Sequence, residues 1–236
     1  MKNSDFCCAV IVAAGSSQRM GGEDSKQFLP LLGIPAVVRT LLAFEAAREV
    51  EWCVVVCRAE DRARMHSLAE RSGVRKASAF VTGGTTRQRS VAAGLAAVPR
   101  EAAWIAVHDG ARPLVTPEEI DACVRDAKQY GASALCVPAK DTFKLVDDAG
   151  FAVCTPPRER LRAVQTPQVF GRAAYERALG LAEERGEDYT DDCQLLEREG
   201  LRVHLLPGGY GNIKLTTPDD ISAAEAILRR REEAAR

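Results

Sequence analysis

The sequence predicts an α/β fold in which a mostly parallel, twisted sheet carries helices on both faces. Five short apolar runs have the length of buried strands, and segments with apolar residues at helical spacing lie between them. Strands that alternate with helices form βαβ units, whose strands run parallel. The expected strands are residues 7–13, 52–57, 77–81, 104–108 and 132–137. We expect a single domain over residues 1–236, because a chain of 236 residues can bury one full core.

The composition argues against several classes of protein. The chain has 32 basic and 33 acidic residues, so it presents no overall positive field to hold a nucleic acid. Its apolar runs are shorter than the roughly 20 residues that a membrane-spanning helix needs. The eight cysteines lie mostly in apolar strand or helix patterns, which is typical of reduced core cysteines rather than of disulfides or a zinc site. We therefore expect a cytoplasmic protein that binds a small molecule and neither nucleic acid nor membrane.

The first predicted strand leads into a turn rich in glycine and serine. Backbone N–H groups in such a turn can bind an anion, and Arg19 and Lys26 would complete a cradle for a triphosphate. The turn is not a P-loop, because Gln27 rather than Ser or Thr follows Lys26. It does not fit a dinucleotide fingerprint, because Ser17 stands at the second glycine position and the next strand ends in Arg58 rather than an acid. A flexible surface turn is the alternative interpretation.

Helix signals follow between the strands. A capping box fits the segments that begin at Thr85 and at Thr116, and Thr217 is followed by the Pro and acidic residues that favour a helix N-terminus. Apolar residues at helical spacing give two helices a core-facing side. They are Val37, Leu41 and Phe44 in the first helix, and Ile120, Cys123, Val124 and Ala127 in the later one.

Polar residues follow the third and fourth predicted strands, at the edge where open parallel sheets bind ligands. Gly83-Gly84 would let the backbone approach a base or ribose closely, and a plain turn is the alternative. Asp109 and Arg112 place a carboxylate and a guanidinium at the same edge, where a structural ion pair is the alternative. Thr190 could belong to a helix cap, and Lys214 to a strand end. Together these residues supply a complete polar site.

Residues 138–161 interrupt the alternation of strands and helices. Two short apolar runs flank a turn near Asp148, which predicts a protruding β-hairpin arm. An isolated hairpin is marginally stable in water, so we expect the arm to pack on a second copy of the chain. The sequence therefore predicts a homodimer formed through the arm.

Short motifs along the chain occur in a specific order and spacing. They are Ala13-Ala14-Gly15 with Arg19-Met20 and Lys26-Gln27-Phe28, Gly83-Gly84 with Arg87 and Ser90, residues 107–113, Asp141-Thr142 with Lys144, residues 165–168, Thr190-Asp191 and Asn212-Ile213-Lys214. Nearly end to end, this arrangement resembles the 2-C-methyl-D-erythritol 4-phosphate cytidylyltransferases of the non-mevalonate isoprenoid pathway. The resemblance implies a Rossmann-like fold for the predicted sheet.

The resemblance also implies a reaction and a set of site residues. The phosphate of methylerythritol phosphate would attack the α-phosphorus of CTP and release pyrophosphate, with Mg²⁺ bound mainly through the CTP phosphates. Arg19, Lys26 and Lys214 match the catalytic cations that stabilise the phosphates. The residues that match the CTP site are Ala13, Ala14, Gly15, Ser16, Gly83, Gly84, Thr85 and Ser90. Those that match the sugar-phosphate pocket are Asp109, Arg112 and Thr190, with Thr142 and Arg158 reaching from the arm into the partner subunit's pocket.

Three positions depart from the family pattern and bear on loop geometry. Ser17 replaces a frequent Gly, Gly110 replaces the usual Ala, and Thr85 stands where some relatives are acidic. The nearest competing assignment is a ribitol 5-phosphate cytidylyltransferase, which tends to carry a bulkier residue than Ala111. An NAD-linked oxidoreductase and a nucleotide-binding regulator without chemistry are more distant possibilities. We expect no fused cyclodiphosphate synthase, because little sequence follows the last predicted helix.

Overall fold

The computed structural model describes residues 5–15 and 25–234. The strands within these ranges are β1 (Cys7–Val12), β2 (Pro30–Leu31), β3 (Ile34–Pro35), β4 (Trp52–Cys57), β5 (Ala77–Thr82), β6 (Trp104–Asp109), β7 (Ala132–Pro138), β8 (Leu145–Val146), β9 (Ala152–Cys154), β10 (Arg162–Gly171) and β11 (His204–Pro207). The α-helices are α1 (Ala36–Ala46), α2 (Arg62–Arg71), α3 (Arg87–Leu95), α4 (Pro117–Tyr130), α5 (Arg172–Arg185), α6 (Asp192–Arg198) and α7 (Asp219–Ala234). Short 3₁₀-helices occur at Lys26–Phe28, Ala59–Asp61 and Arg158–Arg160.

Seven strands form the main sheet, in the order β11-β7-β10-β6-β1-β4-β5. β10 runs antiparallel between β6 and β7, whereas the other neighbouring pairs are parallel. The predicted mostly parallel sheet is therefore confirmed, and the five predicted strands appear as β1, β4, β5, β6 and β7. The sequence pattern does not predict β10, because Gln165, Thr166 and Gln168 are buried polar residues that break its apolar run.

Helices cover both faces of the sheet. Along β1, Cys7, Ala9 and Ile11 face an apolar cluster that includes residues of α1, α2 and α4. Cys8 and Val10 face a second cluster, which includes residues of α3, α5 and α6. This period of two is expected for a strand that is buried on both faces. The predicted apolar sides of α1 and α4 are both buried in the first cluster.

Two of the predicted helix starts have the expected caps. Thr116 and Glu119 form a complete capping box at the start of α4. At the start of α7, the Asp220 carboxylate accepts hydrogen bonds from the backbone N–H groups of Thr216 and Thr217. Both carboxylates lie in the first turn, where they also interact favourably with the helix dipole.

The capping box predicted from Thr85 to Gln88 is wrong. Thr86 is the N-cap of α3, and its hydroxyl accepts a hydrogen bond from the N–H of Arg89. Gln88 is buried, and its amide group donates to the Glu187 carbonyl and accepts from the Tyr189 N–H. The start is displaced by one residue because either of two adjacent threonines could cap the helix.

β8 and β9 form the predicted hairpin, which is a separate two-stranded sheet. In its turn, the Asp147 carboxylate accepts hydrogen bonds from the N–H groups of Ala149 and Phe151. Gly150 has a φ of 85°, a conformation that glycine adopts without steric cost. The predicted turn near Asp148 is thus confirmed.

The cysteines lie entirely in the described ranges and form no disulfide. Seven are buried and Cys154, on β9, is exposed. Burial raises the pKa of the Cys8 thiol to about 12, so that it stays protonated. Among residues 5–15 and 25–234, no group of His, Cys, Asp and Glu side chains is arranged to hold a metal ion. No helix in these ranges is long and apolar enough to cross a membrane.

Candidate active site

Two adjoining clefts lie at the carboxyl ends of the central strands. The chain passes from β1 to β4 and β5 on one side, and then returns to β6 on the other side of β1. Ligands of open α/β sheets bind at such a reversal of strand order. The first cleft has a volume of about 450 Å³ and the second about 360 Å³. We call them the glycine cleft and the Thr190 cleft, after the residues that line them.

The glycine cleft contains most of the residues that the sequence assigned to the nucleotide. Its described lining includes Ala14, Gly15, Lys26, Gly84, Thr85 and Ser90. Ala13 is almost fully buried in the core at the end of β1, and its N–H donates to the Val56 carbonyl at 2.7 Å. Ser16 and Arg19 lie outside the described residues. The structure thus brings Ala14, Gly15, Lys26 and the Gly84 loop to one cleft.

Ser90 holds the second of these loops in shape. Its hydroxyl accepts a hydrogen bond from the Gly84 N–H at 3.1 Å and donates to the Thr86 carbonyl at 2.9 Å. The side chain is almost fully buried. Ser90 therefore fixes the backbone of residues 84–86 as well as lining the cleft.

Gly83 allows two loops to approach closely. A Cβ atom at this position would lie 2.5 Å from the Ala14 Cβ and 2.9 Å from the Ser90 Oγ. A Cβ atom essentially never lies within 3.0 Å of an atom to which it is not bonded, so the loops would have to separate. Gly83 is therefore required by the packing of the protein on itself. Gly84 lines the cleft and is also closely packed, since a Cβ there would lie 2.5 Å from the Arg89 Cβ.

Gly83→Ala should destabilise the protein, because the added methyl group overpacks the contact between the loops. We expect a loss of about 1–3 kcal/mol in the free energy of unfolding, measured by urea denaturation. Gly180→Ala is the matched control, because no atom lies within 4 Å of its added Cβ. Gly180 is in the middle of α5, so alanine there should stabilise by up to about 1 kcal/mol. Equal stability of the two variants would contradict the close-approach argument.

The Thr190 cleft contains the remaining predicted residues of the chain's own site. Asp109, Arg112, Thr190 and Lys214 all line it. Arg112 donates a hydrogen bond to the Asn212 carbonyl at 2.8 Å, which fixes its guanidinium at the base of the cleft. Thr142 and Arg158 line neither cleft of their own chain. They are exposed on the arm, where Arg158 donates to the Lys140 carbonyl at 3.2 Å.

Asp109 is the centre of a charged cluster on the wall that the clefts share. One carboxylate oxygen lies 2.8 Å from the Lys214 Nζ and 3.8 Å from the Arg112 Nε. The other oxygen accepts from the Arg87 Nε at 3.3 Å. Burial opposes ionisation of this carboxyl, but Arg87 and then Lys214 and Arg112 hold its pKa well below the usual range. Asp109 is therefore ionised at neutral pH.

Arg87 extends this cluster into the core. Its Nη1 lies 2.5 Å from a carboxylate oxygen of Asp192, the first residue of α6. The Tyr175 hydroxyl donates to the other Asp192 oxygen at 2.6 Å. Tyr175 is completely buried, and Asp192 is almost completely buried. The charge of Asp192 is thus compensated inside the protein rather than by water.

His108 belongs to a buried hydrogen-bonded network beneath the clefts. The Thr166 hydroxyl accepts from the Asp109 N–H and lies 3.1 Å from the His108 Nδ1. The His108 Nε2 lies 3.3 Å from the Arg112 carbonyl. Burial lowers the pKa of His108 to about 3, so the ring is neutral near pH 7. These contacts fix the backbone of residues 108–112 and do not suit His108 to proton transfer.

Some members of the site were not identified from the sequence. Arg87 and Thr166 occur within the motifs that carry the family resemblance, but no role was assigned to them. Asp192 lies directly after the Thr190-Asp191 motif, and no motif of the sequence includes Tyr175. Only the three-dimensional structure shows that these four side chains support Asp109.

The described residues of the glycine cleft include few groups that could bind Mg²⁺ directly. Asp109 is the one carboxylate among the described residues that line the glycine cleft, and it is already paired with cations. Mg²⁺ commonly keeps several waters and binds through substrate phosphates with one or two carboxylates. This donor set fits a Mg²⁺ ion held by a triphosphate and does not fit an ion held by protein ligands alone.

Comparison with known proteins agrees with this architecture. The family model for 2-C-methyl-D-erythritol 4-phosphate cytidylyltransferase matches residues 7–230. The enzyme of that name from Desulforamulus reducens is 44% identical over 224 residues, which are 94% of this chain and 96% of the relative. The one from Pelotomaculum thermopropionicum is 43% identical over 229 residues, covering 97% and 96% of the two chains. The crystal structure of 4-diphosphocytidyl-2C-methyl-D-erythritol synthase from Anaerococcus prevotii superposes with a TM-score of 0.84 at 29% identity, covering 97% of this chain and 99% of that one.

Proposed function

The chain belongs to the 2-C-methyl-D-erythritol 4-phosphate cytidylyltransferase family, and from this membership we infer the reaction that its two clefts carry out. It transfers a cytidylyl group from CTP to 2-C-methyl-D-erythritol 4-phosphate, in the synthesis of isoprenoid precursors. The products are 4-diphosphocytidyl-2-C-methyl-D-erythritol and pyrophosphate. The observation that supports this assignment best is the pair of clefts with a shared cationic wall, one on the nucleotide side and one on the acceptor side.

The reaction forms one bond and breaks one bond. A phosphate oxygen of the acceptor bonds to the α-phosphorus of CTP, and the bond from that phosphorus to the bridging oxygen of the β-phosphate breaks. The electron pair of the broken bond leaves on pyrophosphate. Positioning and charge stabilisation supply most of the catalysis in phosphoryl transfer of this kind. The protein therefore needs cations near the reacting phosphates more than it needs an acid or a base.

The cations of the clefts suit these requirements. Lys26 lines the glycine cleft, and Lys214 lines the wall between the clefts. We assign both to stabilisation of the α-phosphate and the leaving pyrophosphate, together with Arg19. Residues 13–16, 83–85 and Ser90 would hold CTP. Asp109, Arg112 and Thr190 would hold the sugar phosphate.

Mg²⁺ is part of the proposal as a partner of CTP. When bound to the triphosphate, it neutralises charge that develops on the leaving pyrophosphate. Asp109, the one described carboxylate that lines this cleft, is already paired with cations, so the triphosphate and water would supply most ligands of the ion. The ion would accompany the nucleotide into the site.

The arm is the proposed dimer contact. Five apolar side chains on the arm are each more than half exposed in the single chain: Phe143, Leu145, Val146, Phe151 and Val153. Such a cluster on a two-stranded hairpin is stabilised by burial against another surface. We propose that the arms of a homodimer cover each other and carry Thr142 and Arg158 to the partner subunit's Thr190 cleft.

The base of the arm is tied to its own active-site loop. The Tyr210 hydroxyl donates to the Pro138 carbonyl at 2.9 Å, and the Lys140 Nζ lies 3.8 Å from the centre of the Tyr210 ring. Tyr210 stands four residues before Lys214 in the chain. The direction in which the arm leaves the subunit is therefore linked to the segment that carries a catalytic lysine.

We place the protein in the cytoplasm. The support is that its eight cysteines, all in the described ranges, are unpaired. Unpaired cysteines in this number are typical of a reducing compartment. The small net charge of −1 further supports small-molecule substrates rather than nucleic acid.

Turnover with CTP should be clearly faster on 2-C-methyl-D-erythritol 4-phosphate than on ribitol 5-phosphate. The measurement is pyrophosphate release with each acceptor at several concentrations, together with a reaction that lacks acceptor. Ala111 stands where ribitol 5-phosphate enzymes tend to carry a bulkier residue. It is almost fully buried in the wall of the glycine cleft. Equal or faster release with ribitol 5-phosphate would contradict the assigned acceptor, and no release with either acceptor would contradict the assigned reaction.

A further inference from the structure

Arg87 lies where the two clefts meet. Arg87, Asp109 and Lys214 are the side chains that line both clefts among the described residues. The reaction joins a phosphorus from one cleft to an oxygen from the other, so groups on the shared wall lie beside the bond that forms. Asp109 and Lys214 already have assigned roles, whereas Arg87 has none.

The contacts of Arg87 indicate that it orients Asp109. Its Nε donates to one Asp109 oxygen, while Lys214 and Arg112 approach the other. Arg87 holds one oxygen of the carboxylate, and Lys214 and Arg112 hold the other, so the plane of the carboxylate is fixed. Removing Arg87 would free one oxygen and let the carboxylate turn toward Lys214.

Arg87 is itself held from the core side. Asp192 pairs with its Nη1, and the Tyr175 hydroxyl fixes Asp192. The Tyr175 ring stacks on Phe170 with a centroid distance of 4.8 Å and an interplanar angle of 7°. A tyrosine packed in this way cannot change position without disturbing the core, so the chain of contacts starts from a rigid point.

Asp192 also connects this chain of contacts to the acceptor side of the site. It stands two residues after Thr190, which lines the Thr190 cleft. The pairing with Arg87 therefore sets the position of the Thr190 segment relative to Asp109. Both Thr190 and Asp109 belong to the proposed sugar-phosphate pocket.

We propose that Tyr175, Asp192 and Arg87 form a positioning relay for the acceptor, in which Arg87 acts on the reaction through Asp109 and the Thr190 segment. The proposal rests on the reaction assigned above. It predicts that acceptor use falls more than CTP use, because the residues that the relay positions, Asp109 and Thr190, belong to the proposed sugar-phosphate pocket.

Tyr175→Phe tests the relay without removing the aromatic ring. It deletes one hydrogen bond to a carboxylate, so kcat/KM for methylerythritol phosphate should fall roughly tenfold. The KM for CTP should change by less than about twofold, since neither Tyr175 nor its hydrogen-bond partner Asp192 lies in the glycine loops. Arg87→Lys keeps the charge but loses the forked geometry that contacts two carboxylates, and should cost roughly 10²-fold in the same ratio.

Tyr189→Phe is the matched control. The Tyr189 hydroxyl donates to a Glu187 carboxylate oxygen at 2.6 Å and accepts from the Arg198 Nε at 3.1 Å. This trio has the same chemistry as the relay and adjoins Thr190 in sequence, but it lines neither cleft. The control should therefore keep wild-type kinetics with both substrates.

Two further readouts separate positioning from a structural role. In the double variant, Tyr175→Phe should add little to the kinetic loss of Arg87→Lys, because both break the same relay. Each variant's melting temperature is measured alongside. A normal acceptor kcat/KM for Tyr175→Phe, or equal loss of CTP and acceptor use, would overturn the relay while leaving the reaction intact. A wild-type enzyme that releases no pyrophosphate would overturn the assigned reaction and the relay with it.

Discussion

Lys26→Ala should lower kcat roughly 10²- to 10³-fold while the protein remains folded, since this is the usual cost of removing one preorganised stabiliser of transition-state charge. Lys26 lines the glycine cleft at the start of a short 3₁₀-helix, opposite the loop that contains Gly84. Arg87, Arg112 and Lys214 all lie near Asp109, so that carboxylate already offsets part of their charge. The loss of Lys26 would remove a cation that lines the glycine cleft and is assigned to the triphosphate.

The measurement is the rate of pyrophosphate release at saturating CTP and acceptor, with a melting curve for each variant. Lys26→Arg should recover part of the lost rate, because it restores the charge with a different shape. Lys128→Ala is a control for loss of a lysine, since Lys128 pairs with Glu49 on the surface away from both clefts. Wild-type turnover by a folded Lys26→Ala variant would show that Lys26 is a surface lysine and that the phosphate-cradle interpretation is wrong.

A mixture of Lys26→Ala and Arg158→Ala subunits should be far more active than either homodimer. In the proposed dimer, a Lys26→Ala subunit lacks a working cleft but keeps a sound arm, and an Arg158→Ala subunit has the converse defect. Random re-association makes about half of the dimers heterodimers, each with one intact site of two. The activity per site should therefore approach roughly a quarter of the wild-type value.

Subunit exchange is verified by mass spectrometry of differently tagged chains before activity is measured. A mixture of Lys26→Ala and Lys214→Ala is the control. Both substitutions lie in the clefts and neither lies in the arm, so no heterodimer of these subunits has a complete site. Activity no greater than the sum of the separate variants, after verified exchange, would show that Arg158 does not serve the partner's site. A monomeric wild-type protein in solution would contradict the dimer itself.

The sequence was most informative where apolar periodicity and polar strand ends coincided. β1 is apolar throughout, and β6 is apolar up to His108. Gly15 lies just beyond the end of β1 and Asp109 ends β6, so the positions of both could be predicted from pattern alone. The parallel sheet then required these strand ends to lie side by side. This is why most described members of the predicted site lie in the two clefts or directly beneath them.

β10 shows where this reasoning failed. Gln165, Thr166 and Gln168 are buried in the strand because they bond to Gly209, His108 and Asp191. A buried strand whose polar groups are satisfied by distant residues has no apolar alternation to detect. Its antiparallel direction, and the place it takes between β6 and β7, depend on contacts that no local pattern encodes.

The role of Arg87 could not be predicted from the sequence for a related reason. Arg87 is the first residue of a helix, and its partners Asp109 and Asp192 are distant in the chain. The importance of the residue comes from bridging two carboxylates that the fold brings together. Family resemblance marked the position without supplying this physical cause.

The cations around Asp109 have a further consequence for how the enzyme responds to salt. The Asp109 carboxylate is an internal counter-ion for these cations, so part of their charge is already offset within the protein. An arriving substrate phosphate would meet cations whose charge Asp109 already partly offsets, and would displace fewer dissolved anions from them. Screening by dissolved salt weakens exposed charge pairs more than buried ones. Substrate affinity at this wall should thus depend less on ionic strength than binding to an open basic surface would.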